Sequence, residues 1–505
     1  MKRLLVLAIV LSMLLIGASG VAGAGTTHTV SPGDDIQAVI DRADSGDTIV
    51  FALGTYSLSI TLNVNKSLTL TSEDPYETTK PLLDGGGTLD RIVYIAADDV
   101  TVDGLEIAHG TGDLIRQSGA YSGTVVRNCV VHHSFGDEGI QLKSCTNCLV
   151  ECNVVYDVAQ DGISLAEGSH NSAIRNNEIY DVGSENAAIY VYDSFEMTVA
   201  CNYIHDTVAA NGIKMYKNYS GPHVIANNLI VHNAWQGGKR CYDEADGSSI
   251  NIYKARVADS DYVVTHNTLD DNSGVDGCGN SIGHAIYVND YDGWGFVTNV
   301  DDNIATNHNG YGLRTFYGAA VSYRHNDLWQ NALGSTDGSP VDGGGNISAD
   351  PLYNSDYTLG DLSPCIGAAS DGQDMGRLWG ECGCAPPVIE IAIDIKPGSF
   401  PNSINPKSKG KIPVAILSTF DLDAAHNVDQ GSLTFGHTGN EDSLAFCNPG
   451  FEDVNDDGYD DLVCHFYTQQ AGFLPGDEMG FLKGQTGDGT PIEGWDSVNI
   501  VPKGK

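Results

Sequence analysis

The sequence predicts an all-β protein, a parallel β-helix solenoid over residues 25–385 followed by a small antiparallel β-sandwich over 386–505. Three observations carry this. A short phrase recurs every 24 or 25 positions, as Asn153-Val154-Val155-Tyr156-Asp157, Asn177-Glu178-Ile179-Tyr180-Asp181 and Asn202-Tyr203-Ile204-His205-Asp206, and a fixed period of this length marks a solenoid. Apolar residues within each unit alternate with a spacing of two, which excludes helical repeats. After Pro386-Pro387 the phrase stops, and short β-rich runs separated by Gly, Pro and Asn take over.

The chain opens with Lys2 and Arg3, an apolar run over 4–16 and the small residues Ala22-Gly23-Ala24. This is the layout of a secretory signal peptide over 1–24. The run is too short to span a bilayer comfortably, so no membrane span is expected after cleavage. The protein is expected to be secreted or held at the cell surface, as a monomer. With 26 Lys and Arg against 66 Asp and Glu, the net charge is −40. Such a surface repels nucleic acid and anionic lipid and suits a cation-rich extracellular setting. Twelve cysteines in an exported chain point to disulfides. Cys447 with Cys464 and Cys241 with Cys278 are the first expected pairs, and Cys365, Cys382 and Cys384 lie close enough to supply another. Cys145-Thr146-Asn147-Cys148 is a lone CxxC without a second pair at zinc spacing, so metal binding is not expected there.

Aligning the units on asparagine gives Asn128, Asn153, Asn177, Asn202, Asn228, Asn267, Asn303 and Asn326. A second strand follows in each unit, at Gly139-Ile140-Gln141-Leu142, Gly162-Ile163-Ser164-Leu165, Ala188-Ile189-Tyr190-Val191, Gly212-Ile213-Lys214-Met215, Ser249-Ile250-Asn251-Ile252 and Ala285-Ile286-Tyr287-Val288. Strands this short cannot fold alone. Stacked as coils, each adds a rung about 4.8 Å above the last. Asparagine suits a left-handed turn, and stacked amides form hydrogen-bonded ladders. The preceding position, Cys152, Asn176, Cys201 and Asn227, reads as an interior stack in which the two cysteines are two rungs apart, too far to bridge to each other.

From Thr26 to about Cys384 the chain resembles the right-handed parallel β-helix proteins of the pectate-lyase-like superfamily. The start, Asp34-Asp35-Ile36-Gln37-Ala38-Val39-Ile40 followed by Gly46-Asp47-Thr48-Ile49-Val50 and Gly54-Thr55-Tyr56, resembles that family's capping helix and first coil. Ala349-Asp350-Pro351-Leu352-Tyr353 and Ser363-Pro364-Cys365-Ile366-Gly367 resemble its last coils. The resemblance implies fold more than activity, because this scaffold serves lyases, hydrolases, epimerases and non-catalytic surface proteins. The Arg-His-Gly signature of its alginate and chondroitin lyases and the paired aspartates of its polygalacturonases have no match, and Ser281-Ile282-Gly283-His284-Ala285 lacks the second glycine of a hydrolase Gly-His-Gly.

If Ile213 and Met215 face inward, Lys214 and Tyr216 face out. The same rule gives one outward column of Ser164, Tyr190, Lys214, Asn251, Tyr287 and Arg314, a second of Tyr192, Tyr216, Tyr253, Asn289 and Phe316, and an edge of Asp193, Lys217, Lys254 and Asp290. Tyrosines beside hydrogen-bonding groups suit sugar rings, which have apolar faces and hydroxyl edges; an outer ladder that only covers a sheet is the plainer reading. Tyr190, Tyr192, Tyr216, Tyr253, Asn251 and Tyr287 are therefore the candidate substrate-binding residues. Lys214, Lys217, Lys239, Arg240, Lys254 and Arg256 form a basic island in an acidic chain, as a uronic-acid polysaccharide would require. Asp243, Glu244 and Asp246 within it either hold Ca²⁺ or neutralise the lysines.

The chemistry that fits is β-elimination, with Lys214 as base, Arg256 or Arg314 on the substrate carboxylate, Lys254 beside them, and Tyr216 or Tyr253 as proton donor. Ion pairing with nearby acids is the competing role for these cations. Asp137, Glu138 and Asp161 lie near strands of adjacent coils but read as solvated turn acids. The adjacent His132 and His133, and His205, His232, His266 and His325, read as turn residues that admit a metal site without requiring one. In the second domain, Asp453, Asn455, Asp457, the Tyr459 carbonyl and Asp461, with Gly458 between, match a short Ca²⁺-binding loop. Cys464 stands where an EF-hand has glutamate. The expected function is binding, and elimination-type cleavage, of extracellular polysaccharide; the alternative is a non-catalytic surface protein whose coils form a stalk or adhesive face.

Overall fold

The computed structural model describes residues 25–183, 186–209, 211–234, 247–276, 278–384, 389–419, 422–450, 452–455, 457–486 and 491–501. The expected signal peptide, Lys239, Arg240, Cys241, Asp243, Glu244, Asp246, Pro386 and Pro387 lie outside them. The chain divides into two units, Met1–Cys384 and Ala385–Lys505.

The first unit is a right-handed parallel β-helix of three sheets with 13, 11 and 11 strands. One coil supplies each sheet in turn: Leu149–Glu151 to the first, Val154–Val158 to the third and Ile163–Ala166 to the second, before Ala173–Arg175 rejoins the first. A short helix, Ile36–Arg42, precedes the stack. Asp35 caps it by accepting from the Ala38 N–H, and Ile36 and Ile40 are buried. Inside, Ile140, Ile163, Ile189, Ile213, Ile250 and Ile286 stack in register without exposed surface, each contributing about 1.5–3 kcal/mol by burial.

Asn153, Asn177, Asn202, Asn228, Asn267, Asn303, Asn326 and Asn346 form one continuous ladder. Each Nδ2 donates to the next Oδ1 at 2.9–3.1 Å, and the next Oδ1 also accepts the residue's own backbone N–H. These amides are the inward stack, and the left-handed residues are the ones before them: Cys152, Asn176, Cys201, Asn227, His266, Asp302 and His325 all have positive φ. The interior assignment of Cys152 and Cys201 is thereby corrected. Asn128 belongs with that left-handed column, since Arg127 pairs with Glu151 and Cys129 donates to Asn153.

Cys152 and Cys201 face a returning segment instead, bonding Cys384 and Cys382. That segment runs back along the left-handed corners: the Ala368 carbonyl accepts from His325 Nδ1 at 3.0 Å, Ser370 donates to Asp302, Leu378 donates to Asn227 and Gly383 to Asn176. Polar corners spaced one rung apart thus bind a strap antiparallel to the direction of winding. Cys145 pairs with Cys148, while Cys129 and Cys365 are buried thiols.

In the second unit, one four-stranded sheet contains Ile393–Ile395, Lys411–Ile416, Leu462–Tyr467 and Leu444–Cys447, all antiparallel. The other contains Val428–Gly436, Met479–Thr486 and Pro491–Ser497, with the edge strand Ile389–Glu390 added in parallel. Ile395, Val414, Phe435, Phe466 and Leu482 fill the space between them. Cys447 and Cys464, opposite one another on neighbouring strands, are bonded as the sequence suggested.

Candidate functional site

The second sheet carries the columns read from the sequence. Ser164, Tyr190, Lys214, Asn251, Tyr287 and Arg314 are Cα partners on successive strands, and so are Tyr192, Tyr216, Tyr253, Asn289 and Phe316. The pleat dictates this, because Ile213 and Met215 fill the core and the residues between them must face out.

The two columns differ in character. In the second, Tyr192, Tyr216 and Tyr253 stack with centroids 5.6 Å apart, and Tyr190 lies 5.9 Å from Tyr192. The rings are half-buried and hold cations on their faces: Lys217 Nζ is 4.8 Å from the Tyr216 centroid, and Lys254 Nζ is 5.1 and 4.4 Å from those of Tyr253 and Tyr291. In the first column Ser164, Lys214, Asn251 and Tyr287 are buried. Asn251 Nδ2 donates to Asn211 Oδ1 at 3.0 Å, and Tyr287 Oη accepts from Asn289 Nδ2 at 2.7 Å. Asn251 and Tyr287 thus belong to a polar floor, while Tyr190, Tyr192, Tyr216 and Tyr253 stand higher.

The arginines proposed for a substrate carboxylate have carboxylates of the chain. Arg256 Nε is 2.9 Å from Asp193, across two rungs, and Arg314 Nε is 3.1 Å from Asp337. Arg314 also lies 3.2 Å from His284 Nε2. Burial, then the Arg314 and His308 charges, push His284 down to about 3, so its imidazole is neutral.

A second set was undervalued in the sequence. Asp113, Glu138 and Asp161 occupy one column, each two positions before an inward isoleucine, Ile115, Ile140 and Ile163. They are 1%, 8% and 1% exposed, so the solvated-turn reading is corrected for Glu138 and Asp161. Oxygens of Asp113, Asp137 and Glu138 lie within 4.8 Å of one another. Arg116 bonds Asp113 at 2.5 Å, and Gln141 Nε2 donates to Glu138 Oε1 at 2.6 Å. Glu138 Oε2 and Gln141 Oε1 are buried without a hydrogen-bond partner. Burial, then Asp137 and Asp113, push the Glu138 carboxyl well above the usual range. Two orphaned oxygens among crowded acids fit an oxygen-ligated divalent cation. In the sequence the set shows only as an acid two positions before an inward isoleucine, a pattern that does not by itself separate a buried acid from a solvated one.

A further concavity of about 730 Å³ lies between the strap and the outer face of the first sheet. Its floor is small, with Ala200, Ala226 and Val263, and Arg324, Asp371 and Glu381 add charge at its walls. No contact of it was foreseen, because nothing in the repeat reveals where the strap returns.

In the second unit, Asp453 accepts from the Asp457 and Gly458 N–H groups, Asn455 from Asp457, and Asp457 from Tyr459. Asp461 is fully buried and accepts from the N–H groups of Ser418 and Val454 at 2.7 and 2.8 Å. It anchors the loop, leaving Asp453, Asn455 and Asp457 on its exposed side.

Comparison with known proteins now bears on the first unit. Residues 91–255 match the family described as right handed beta helix region. No curated protein matches the chain. Among solved structures the chain is similar to a pectate lyase (13% identity, 70% of this chain and 96% of that one, TM-score 0.48). It is also similar to an alginate lyase from Paenibacillus sp. str. FPU-7 (18%, 63% and 99%, 0.45) and to a lacto-N-biosidase from Eubacterium ramulus (12%, 64% and 68%, 0.44).

Proposed function

We propose that the chain binds an acidic extracellular polysaccharide across the rungs of the second sheet and cleaves it by β-elimination. The observation that carries this is the pair of adjacent columns, an aromatic lane beside a buried polar floor with Lys214 at its centre. Stacked tyrosines accept the apolar faces of successive sugars, and the cations on their faces attract the uronate groups. Lys214, in register between Tyr190 and Asn251, is the base that takes the proton from the carbon bearing the carboxylate. Tyr216, whose ring centroid is 5.7 Å from Lys214 Nζ, would return a proton to the leaving oxygen. Asp113, Asp137, Glu138 and Gln141 would hold Ca²⁺, which supplies positive charge for a uronate; the loop of Asp453, Asn455 and Asp457 would hold another with a structural role.

The test is ultraviolet absorbance of unsaturated product from a panel of uronic polysaccharides, with Ca²⁺ and with chelator. Product that is lost in Lys214→Ala supports the reading. Silence across the panel from folded protein sinks elimination. A second reading rests on the buried acid column: a protonated Glu138 one rung from Asp161 resembles the acid and base of a glycosidase. New reducing ends without unsaturated product, lost in Glu138→Gln, would favour it.

A further inference from the structure

The outer face of the first sheet changes character part-way along the solenoid. One column of register partners runs Asp103, Arg127, Glu151, Arg175, Ala200, Ala226, Thr265, Asp301 and Arg324. Towards both ends the charges alternate in sign and pair across neighbouring rungs: Arg127 with Asp103 and Arg175 with Glu151 at 2.8 Å, and Arg324 with Asp301 at 2.6 Å. Between these pairs stand three small side chains on successive rungs, a floor roughly 10 Å long at the ordinary strand spacing.

The strap crosses this floor without filling it. It is pinned at one side where the Ser370 N–H and hydroxyl donate to Asp302, at 2.6 and 2.8 Å, and at the other by the Cys201–Cys382 bond. The cavity of about 730 Å³ lies between, a volume within the range of small-molecule sites. Ala200, Ala226 and Val263, with Leu378 from the strap, give it an apolar middle. Two side chains lining it carry an atom without a hydrogen-bond partner, Asp301 Oδ1 and His266 Nε2, in residues only 9% and 7% exposed. His266 Nε2 stands 3.7 Å from Asp371 Oδ2, beyond hydrogen-bond reach. Buried polar atoms of this kind call for a partner from outside the chain.

Charge narrows the choice of partner. Asp301, Asp302, Asp371 and Glu381 line the cavity, against Arg324 alone among the described lysines and arginines, and Asp301 already holds that arginine. These acids do not converge on a metal ion, since among the described residues only Asp113, Asp137 and Glu138 come close enough. A molecular cation spans a wider gap. We propose that the cavity binds a small organic cation, a primary ammonium on a compact apolar body. The body lies over the alanine floor beneath Leu378 and displaces water from it. The ammonium has three donors and no acceptor, and it meets Asp301 Oδ1, Asp371 and His266 Nε2. The last accepts in the tautomer whose Nδ1–H faces Thr265 Oγ1, 2.9 Å away. This site lies on a different sheet from the tyrosine lane and has the opposite charge preference, so the inference stands apart from the polysaccharide reading.

Ligand-observed NMR titration of the full chain tests it with three probes of one shape, cyclohexylamine, cyclohexanol and cyclohexanecarboxylate. Salt at about 0.15 M screens the exposed acids. Saturable one-site binding of the amine is expected, with the alcohol at least about tenfold weaker and the carboxylate unbound. Asp301→Asn, which keeps the shape of the side chain, is expected to weaken amine binding by about 10–100-fold, the worth of a charge-assisted hydrogen bond. Ala226→Leu fills the floor and is expected to abolish binding, whereas Glu167→Gln, at an exposed acid outside the cavity lining, leaves it unchanged. Far-ultraviolet circular dichroism establishes that each variant is folded, and loss of affinity in either folded cavity variant supports the inference. Three results would overturn it and leave the cavity to water: no saturable binding of the amine by the wild type, alcohol or carboxylate bound as tightly as the amine, or amine bound with undiminished affinity by a folded cavity variant.

Discussion

Two columns of the same solenoid use the same period for opposite ends. In the corner ladder, every rung from Asn153 to Asn346 repeats one residue, and each amide bonds the next. On the outer second sheet, successive rungs carry serine, tyrosine, lysine, asparagine, tyrosine and arginine. A uniform column satisfies itself, and a mixed one presents varied groups at fixed spacing to something else. The difference separates residues that hold the coil from those available for chemistry.

Four substitutions sharpen that contrast. The largest effect is expected for Lys214→Ala: elimination activity should fall by about 10²–10⁴, the range for losing a general base, with little change in melting temperature when initial rates and thermal unfolding are measured together. Next is Asn202→Ala in the ladder. It leaves the Asn177 backbone N–H without its acceptor and removes the amide that donates to the Ile174 carbonyl, a cost of about 1–3 kcal/mol for a buried unsatisfied group, read by denaturant unfolding.

Glu138→Gln tests the acid column through pH. A carboxyl raised in the folded state stabilises the fold fully below its unfolded value of 4.5 and loses that contribution as pH rises toward the folded value. In chelator, the wild type should therefore melt progressively below Glu138→Gln as pH increases above 4.5. Ca²⁺ should narrow the gap if it occupies the acid cluster. The smallest effect is expected for Lys143→Ala, which removes the ion pair with the half-exposed Glu167; an exposed pair of this kind contributes less than about 1 kcal/mol.

The solenoid was legible because its physics is local and repeated. Period-two alternation fixed which side of Ile213 and Met215 turns away from the core, and that rule alone put both columns in register, although it did not reveal that Lys214, Asn251 and Tyr287 are buried there. The corners were harder. Asn177 and Asn176 are adjacent and chemically identical, yet one stacks inward and the other takes positive φ, a distinction set by the backbone path and not by residue type. The strap was hidden for a different reason: Cys382 and Cys384 meet partners 181 and 232 positions away, and spacing carries no record of a segment that turns back. Burial of Asp161 and Glu138 was likewise invisible, since an acid before Gly-Ile looks the same whether or not neighbouring rungs cover it.

The most direct test of the account pairs two quantities on two variants, melting temperature and affinity for a uronic oligosaccharide in Asn202→Ala and Tyr216→Ala. Asn202→Ala should lose stability and keep affinity in the protein that stays folded. Tyr216→Ala should keep stability and lose about two- to tenfold in affinity, the worth of one aromatic contact of about 0.5–1.5 kcal/mol. If Tyr216→Ala instead melts as early as Asn202→Ala and binds the oligosaccharide as tightly as the wild type, the outward tyrosines only cover a sheet, and the division between holding and recognising columns is wrong.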